Sequence, residues 1–186
     1  MKIKIPKKLI KLTGDIYLHK YPMFIVYKPD QHRLKGDKIR EILNTIQPGD
    51  ILLRRFDSYL NTILTPGFWG HAGLYIGNNS IIHSIGKGVI EEDILNFCRT
   101  DSLAVLNVNV TQEERDIAIQ DIKKLKGNKY DFNFNPHNKQ YYCTELMDVS
   151  FNGIFYKDYK EIMSNHILTP DGIYNSDKTT TELEFK

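Results

Sequence analysis

The sequence predicts an α+β fold in which helices pack against an antiparallel sheet. The predicted strands and helices are segregated along the chain instead of alternating, which argues against a parallel sheet. Two apolar strands, at 71–76 and 80–85, are separated by Gly77-Asn78-Asn79, a strong hairpin signal. With 186 residues, the chain is long enough for one sizeable core and short for two full domains.

The other elements follow from residue spacing and from turn residues. A first helix is predicted from Asp37, because its apolar residues fall on one face, and Pro48 ends it. A second helix, over 111–126, begins with the capping-box pair Thr111 and Glu114. The remaining predicted elements are strands at 51–54 and 103–110 and short helices at 56–64 and 143–151.

These patterns divide the chain into three parts. Residues 1–46 are predicted to form an N-terminal extension and helix packed on the main body. Residues 47–175 form the main domain, which carries the candidate site. Residues 176–186 are predicted to be a polar, poorly ordered tail.

Composition and the N-terminal sequence exclude several classes of protein. The 25 basic and 23 acidic residues are well mixed, so we expect no nucleic-acid partner. The two cysteines lack zinc-site spacing and cannot build a disulfide framework, although one bridge stays open. The basic N-terminus lacks the apolar stretch of a signal peptide, and no window is apolar enough to cross a membrane. We therefore expect a cytoplasmic protein without a transmembrane segment.

Three side chains supply the parts of a nucleophilic site, namely Cys143, His71 and His83. If Gly77-Asn78-Asn79 is a three-residue loop, His83 lies opposite Gly73 on the neighbouring strand. The two histidines are then diagonal neighbours on one face, with Cβ atoms roughly 7 Å apart. A loop of even length would place them on opposite faces.

The predicted roles follow from the chemistry of each group. Cys143 is expected at a helix N-terminus, where the helix dipole and a facing imidazolium lower the pKa of the thiol. Its backbone N–H is placed to stabilise an oxyanion. His71 takes and returns the proton, and His83 fixes the tautomer of His71.

Two other interpretations of the same residues stay open. A single cysteine is most often a small buried apolar residue, so the fold could serve as a non-catalytic binding module. Cys143, His71 and His83 are also possible zinc ligands, but their spacing matches no standard motif, and we predict no metal.

Four segments carry a resemblance to a known family. In chain order they are Pro48–Arg54, Gly70–Gly77, Ile81–Ser84 and Tyr142–Leu146. Together they resemble the circularly permuted branch of the NlpC/P60 superfamily of papain-like enzymes, specifically the YiiX/YaeF-like permuted amidases. The resemblance covers roughly residues 47–150. It implies a permuted papain-like fold, with an antiparallel sheet or small barrel packed against helices and the cysteine at a helix N-terminus.

The resemblance also implies roles and an activity. Cys143 matches the nucleophile, His71 the base, and His83 the third position, where relatives often carry Glu or another polar residue. Asp50 matches a Gly-Asp turn of mainly structural role. The implied activity is cysteine-dependent cleavage of a small amide or peptide bond, including peptidoglycan-derived peptides, without a cofactor. An acyltransferase or esterase acting on lipid-like acyl groups uses the same thioester chemistry and stays open.

Further residues are candidates for substrate binding. Arg54 is suited to grip a carboxylate, with a solvated surface position as the alternative. Trp69, Tyr75 and Tyr142 flank the candidate site in sequence and suit the walls of a cleft, although aromatic residues are as often core. The acidic segment Glu91-Glu92-Asp93 is suited to contact a substrate amine, but a solvated helix start is the favoured interpretation, because acidic residues are favoured there.

Overall fold

The structure is a computed structural model that describes residues 32–57, 67–135, 138–162 and 165–186, together with the backbone of two short strands nearer the N-terminus. The chain divides into two compact units, residues 1–33 and 34–186. In the first unit, β1 (Ile16–Leu18) pairs antiparallel with β2 (Ile25–Tyr27). All elements described below belong to the second unit. The helix predicted at 56–64 lies almost wholly outside the described residues.

A six-stranded sheet forms the centre of the second unit, and each neighbouring pair of its strands is antiparallel. In spatial order the strands are β10 (Thr179–Phe185), β7 (Ser102–Val108), β3 (Ile51–Arg55), β4 (His71–Gly77), β5 (Ser80–Ile85) and β6 (Gly88–Asp93). The predicted α+β class is confirmed.

Helices cover both faces of this sheet. They are α1 (Gly36–Thr45), α2 (Ile94–Phe97), α3 (Gln112–Lys124), α4 (Cys143–Ser150) and α5 (Pro170–Tyr174). A 3-10 turn (Tyr156–Asp158) and a two-stranded ribbon of β8 (Lys160–Ile162) and β9 (Asn165–Ile167) follow α4. The capping box predicted for α3 is present, because Glu114 and Thr111 each accept the backbone N–H of the other. Among the described residues, no helix combines the length and apolarity needed to cross a bilayer.

The alternation of side chains along the strands sorts the apolar residues into two core clusters. Leu53, Ala72 and Leu74 belong to the cluster that contains buried residues of α3, α4 and α5. The residues between them in the strands, such as Leu52 and Tyr75, belong to the cluster with buried residues of α1 and α2. His71 and His83 lie two or four residues from members of this second cluster in the same strands, Tyr75 and Ile81, so they project from the face that α1 and α2 cover.

The β4–β5 hairpin closes with a two-residue turn, so the predicted three-residue loop is wrong. Gly77 pairs with Ser80, and Asn78 and Asn79 have φ of 51° and 59°, as a primed hairpin turn requires. The register then shifts at Ile76, beyond which Tyr75 pairs with Ile81. This bulge takes up the odd residue, so the predicted pairing of the strands is confirmed although the loop length is not.

The C-terminal residues form a strand, and the expectation of a poorly ordered tail is wrong. β10 pairs with β7 from Thr179–Val108 to Phe185–Leu103. Leu183 and Phe185 pack against the second core cluster, and the preceding threonines are β-branched residues that favour strands. The two apolar residues at a spacing of two are therefore the sequence feature that indicates a strand, and the polar composition of the segment was the wrong guide.

The turn before β3 is tied to α3 by a buried ion pair. Asp50 Oδ1 accepts from Arg115 at 2.9 Å, and Asp50 Oδ2 accepts the N–H of Gln47 at 2.8 Å. Gly49 has φ of 93°, and a Cβ added there would lie 2.9 Å from Arg115 Cβ. These contacts support the structural role that we expected for Asp50.

Candidate active site

The β4–β5 hairpin brings the two histidines into direct contact. Nε2 of His71 lies 2.8 Å from Nδ1 of His83, and the ring centroids are 5.0 Å apart. The predicted meeting of the two imidazoles on one face is therefore confirmed. Because Nε2 of His71 is engaged, Nδ1 is the nitrogen of this ring left for another partner.

Both imidazoles lie in surroundings that disfavour the charged form. The ring of Phe97 packs against both, with centroids 5.9 Å from His71 and 5.3 Å from His83. Arg54 is the partner of His71 in the β3–β4 register. Burial, and then the positive charge of Arg54, hold the pKa of His71 well below its usual value and lower the pKa of His83 to about 3. Both rings are neutral at neutral pH.

Glu92 lies beside His83 and Arg54, although the sequence predicted it at a solvated helix start. It lies in β6 with Glu91, and only Asp93 caps a helix, so the prediction of a solvated helix start is wrong for the two glutamates. Glu92 Oε2 lies 3.3 Å from Nε2 of His83 and 3.8 Å from the guanidinium of Arg54. The signal was present in the sequence, because continuing the register through the next hairpin places Glu92 on the face of His83.

The position of the Glu92 carboxylate falls short of a completed hydrogen bond. The separation of 3.3 Å from His83 is an ion-pair distance. Nε2 of His83 is nevertheless buried without a hydrogen-bond partner, because its N–H direction does not meet the carboxylate oxygen. The side chain of Glu92 is 28% exposed and that of His83 is 1% exposed, so Glu92 is the partner with more room to rotate.

Cys143 begins α4, as predicted, and its side chain is 8% exposed. The backbone N–H groups of Ala72, Cys143 and Thr144 are directed at its sulfur. Ala72 directly follows His71, and the β4–β5 pairing ends at Leu74, so its N–H serves the thiol instead of the ladder.

A second contact fixes the chain just before Cys143. The hydroxyl of Ser84, the residue after His83, donates to the carbonyl of Tyr141. The start of α4 is thus held at the end of the hairpin that carries both histidines.

The expected low pKa of the Cys143 thiol is wrong. Burial raises the pKa, and this effect exceeds the lowering by the N–H group of Ala72 in β4 and by those of Cys143 and Thr144 at the helix start. No imidazolium assists, because His71 is neutral. The resting site therefore holds a neutral thiol and neutral imidazoles.

Three of the predicted substrate-binding residues are core residues. Trp69 is 1% exposed and packs between Phe68 and Tyr174. Tyr75 belongs to the second core cluster, and Tyr142 is 4% exposed with its hydroxyl accepting the N–H of Leu168. Their sequence neighbourhood suggested a cleft, but strand alternation turns Tyr75 inward and core packing buries Trp69 and Tyr142, so that role is not retained.

Arg54 lies inside the cluster, where it contacts protein groups. Its guanidinium lies 4.2 Å from the ring centroid of Phe97 and donates to the Phe97 carbonyl at 3.3 Å. The side chain is 12% exposed, and the carboxylate that it approaches is that of Glu92. A substrate carboxylate at Arg54 stays a prediction.

Comparisons with known proteins find a similar fold and a matching family. A solved structure described as the metalloprotein YiiX from Escherichia coli O157:H7 is similar, with a TM-score of 0.64 and 16% identity over 76% of this chain and 98% of that chain. At that identity the likeness shows the fold alone. No curated protein matches the sequence. Residues 45–183 match the family model described as "permuted papain-like amidase enzyme, YaeF/YiiX, C92 family". Because this match spans most of the chain, the protein belongs to the permuted papain-like amidase family of YaeF and YiiX.

Proposed function

We propose that the protein is a cysteine-dependent hydrolase that cleaves a small amide or peptide bond through a thioester intermediate. Membership of the amidase family supports a cysteine hydrolase. The observation that carries the finer proposal is the position of Cys143. Its sulfur receives the N–H of Ala72, the residue next to His71, whose ring is held by His83 at 2.8 Å.

The reaction begins with a concerted proton transfer and attack. Nδ1 of His71 accepts the proton of the Cys143 thiol while the sulfur bonds to the substrate carbonyl carbon. The carbonyl electrons move to oxygen, and we assign the stabilisation of this oxyanion to the N–H groups of Ala72 and Cys143. Nucleophile and base thus need no ion pair in the resting enzyme.

The tetrahedral intermediate then collapses and the thioester is hydrolysed. The C–N bond breaks, and the leaving amine takes the proton that His71 received from Cys143. His71 next accepts a proton from water as the water oxygen attacks the thioester, and it returns this proton to the departing sulfur. The products are an amine and a carboxylic acid, and the thiol is restored.

A metal-dependent mechanism is the alternative to consider, because the similar solved structure is described as a metalloprotein. In the part of the chain that the structure describes, no group of three or more His, Cys, Asp or Glu side chains is arranged to hold an ion. Moreover, Nε2 of His71 and Nδ1 of His83 are 2.8 Å apart and occupied with each other. These side chains do not fit a metal centre, and the proposed steps use none.

Turnover and trapping of the intermediate test the proposal together. A panel of amides, esters and peptidoglycan fragments is incubated with wild-type protein, Cys143→Ala and the control Cys98→Ala. Cys98 is fully buried, and burial raises its pKa to about 12, which makes it an unreactive thiol. We expect turnover with wild type and Cys98→Ala only, and a substrate acyl adduct on Cys143 by mass spectrometry. Turnover by Cys143→Ala would overturn the proposal.

The same experiment separates hydrolysis from acyl transfer. Adding a primary amine or an alcohol at increasing concentration gives a second acceptor for the thioester. A hydrolase releases mainly the free acid, whereas a transferase converts most of the acyl group to the new amide or ester. A product distribution dominated by transfer would replace the hydrolase assignment while keeping the three residue roles.

A further inference from the structure

The two ring nitrogens of His83 face different partners. Nδ1 lies 2.8 Å from Nε2 of His71, and Nε2 lies 3.3 Å from Oε2 of Glu92. His83 is 1% exposed, so water does not replace either partner. A row of groups therefore runs from the Glu92 carboxylate through both imidazoles.

We propose that Glu92 is a positioning residue that keeps the proton of His83 on Nε2 and thereby leaves Nδ1 of His71 free to accept the proton of Cys143. This inference rests on the proposed function. It assigns no contact between Glu92 and the substrate, and Glu92 acts only through His83.

The argument starts from the number of protons available. A neutral imidazole carries one N–H and one acceptor nitrogen. The contact of 2.8 Å between His71 and His83 therefore has one donor and one acceptor, which leaves two arrangements. Either His71 donates from Nε2, or His83 donates from Nδ1.

The carboxylate of Glu92 decides between these arrangements. An ionised carboxylate only accepts hydrogen bonds. If His83 donated from Nδ1, its Nε2 lone pair would face the negative oxygen of Glu92, with no proton between them. If His83 carries its proton on Nε2, the proton lies on the nitrogen that is 3.3 Å from the carboxylate oxygen, Nδ1 accepts from His71, and Nδ1 of His71 keeps its lone pair. Only this arrangement leaves Nδ1 of His71 unprotonated and therefore able to accept a proton.

The sheet holds Glu92 in this position. Glu92 pairs with Ile81 in the β5–β6 register, which puts its side chain on the same face as His83 and diagonal to it. Arg54 from β3 approaches the same carboxylate oxygen at 3.8 Å. Four adjacent strands thus contribute one side chain each to the row.

Glu91 provides a matched control within the same strand. It points to the opposite face of β6 and forms an exposed ion pair with Lys126 at 2.6 Å. Glu91→Gln and Glu92→Gln therefore remove the same charge, with the same change of shape, from two adjacent positions. Only one of these positions faces His83.

The test reads the tautomers directly by long-range ¹H–¹⁵N correlation spectra of the ¹⁵N-labelled full chain. In the wild type we expect the protons of His71 and His83 on Nε2 of both rings. In Glu92→Gln the amide can also donate, so we expect His83 molecules protonated on Nδ1, whereas Glu91→Gln keeps the wild-type spectrum. A wild-type His83 protonated on Nδ1, or unchanged tautomers in Glu92→Gln, would overturn the inference.

Kinetics give the second readout and separate this inference from the proposed function. On a substrate found with the panel above, Glu92→Gln should lower kcat with little change in KM. The upper limit of this loss is the contribution of a general base, about 10²–10⁴-fold. The proposed function fails if Cys143→Ala stays active, whatever the tautomers are. The proposed role of Glu92 is overturned if the histidine tautomers are the same in Glu92→Gln and in wild type, even when the enzyme is active.

Discussion

Nε2 of His71 and Nδ1 of His83 lie 2.8 Å apart across the β4–β5 hairpin. This contact uses Nε2 of His71 and leaves its Nδ1 for another partner. It also joins His71 to a residue that is itself 1% exposed. The direction of the imidazole ring is therefore set by the sheet, and the position of Cys143 is set separately by the start of α4.

The first prediction concerns the reactivity of the resting thiol. Burial raises the pKa of Cys143, and His71 is neutral, so the thiolate fraction grows only in the alkaline range. We expect the rate of iodoacetamide labelling at Cys143 to keep rising above pH 8.5, the usual pKa of a free cysteine. The measurement is mass spectrometry of the labelled peptide from pH 5 to 10. Cys98 serves as an internal reference that stays unlabelled, and a rate plateau below pH 6 would show a preformed ion pair instead.

The second prediction concerns the proton acceptor. His71→Gln keeps a polar side chain of similar size but cannot accept a proton near neutral pH, so kcat should fall by about 10²–10⁴-fold. His166→Gln is the matched control, because His166 is exposed on β9 and packs against Tyr159, with ring centroids 5.5 Å apart. Steady-state kinetics on the same substrate check both variants. Equal activity of His71→Gln and the control would remove His71 from the mechanism.

The third prediction concerns the turn that begins β3. Asp50→Ala leaves Arg115 buried without its carboxylate, and breaking a buried pair costs about 3–5 kcal/mol. Asp121→Ala removes an exposed pair with Lys124 and should cost at most about 1 kcal/mol. Urea unfolding of the two variants measures the difference in the free energy of unfolding. A loss for Asp50→Ala as small as that for Asp121→Ala would mean that the turn does not depend on the ion pair.

Local patterns predicted the elements that build the site. The asparagine pair at 78 and 79 marks a hairpin, and strand alternation then places His71 and His83 on one face. The same alternation, carried one hairpin further, would have found Glu92. The predicted loop length was wrong because the number of residues between the strands does not reveal the bulge at Ile76. This bulge restores the predicted register.

Properties that depend on tertiary burial could not be predicted from local sequence patterns. The aromatic residues next to the site motifs were read as cleft walls, but residue type does not show which face of an element meets the core. Trp69, for example, is 1% exposed and lies in the first core cluster. The pKa of Cys143 was predicted from the helix terminus and a facing imidazolium, whereas the cost of burying a charge depends on the packing around the sulfur.

The last prediction concerns stability near neutral pH and rests on Glu145 in the first turn of α4. Burial, together with the nearby carboxylates of Asp131 and Asp148, raises its pKa from 4.5 to about 7, although the N–H of Tyr142 opposes the shift. The folded protein therefore binds a proton here that the unfolded chain has released above pH 4.5. By linkage, this contribution is complete below pH 4.5 and is lost as the pH rises through about 7.

Glu145→Gln should make the stability less dependent on pH. Gln is as suitable as Glu at this capping-box position and keeps an oxygen for the Tyr142 N–H, but it does not ionise. Between pH 4.5 and 7 the wild type should lose at most about 3 kcal/mol more stability than the variant. Glu114→Gln is the control, because the exposed Glu114 has a pKa lowered by Thr111 and stays ionised throughout this range. Urea unfolding at each pH measures these slopes, and the same slope for Glu145→Gln and wild type would show that Glu145 does not bind the proton.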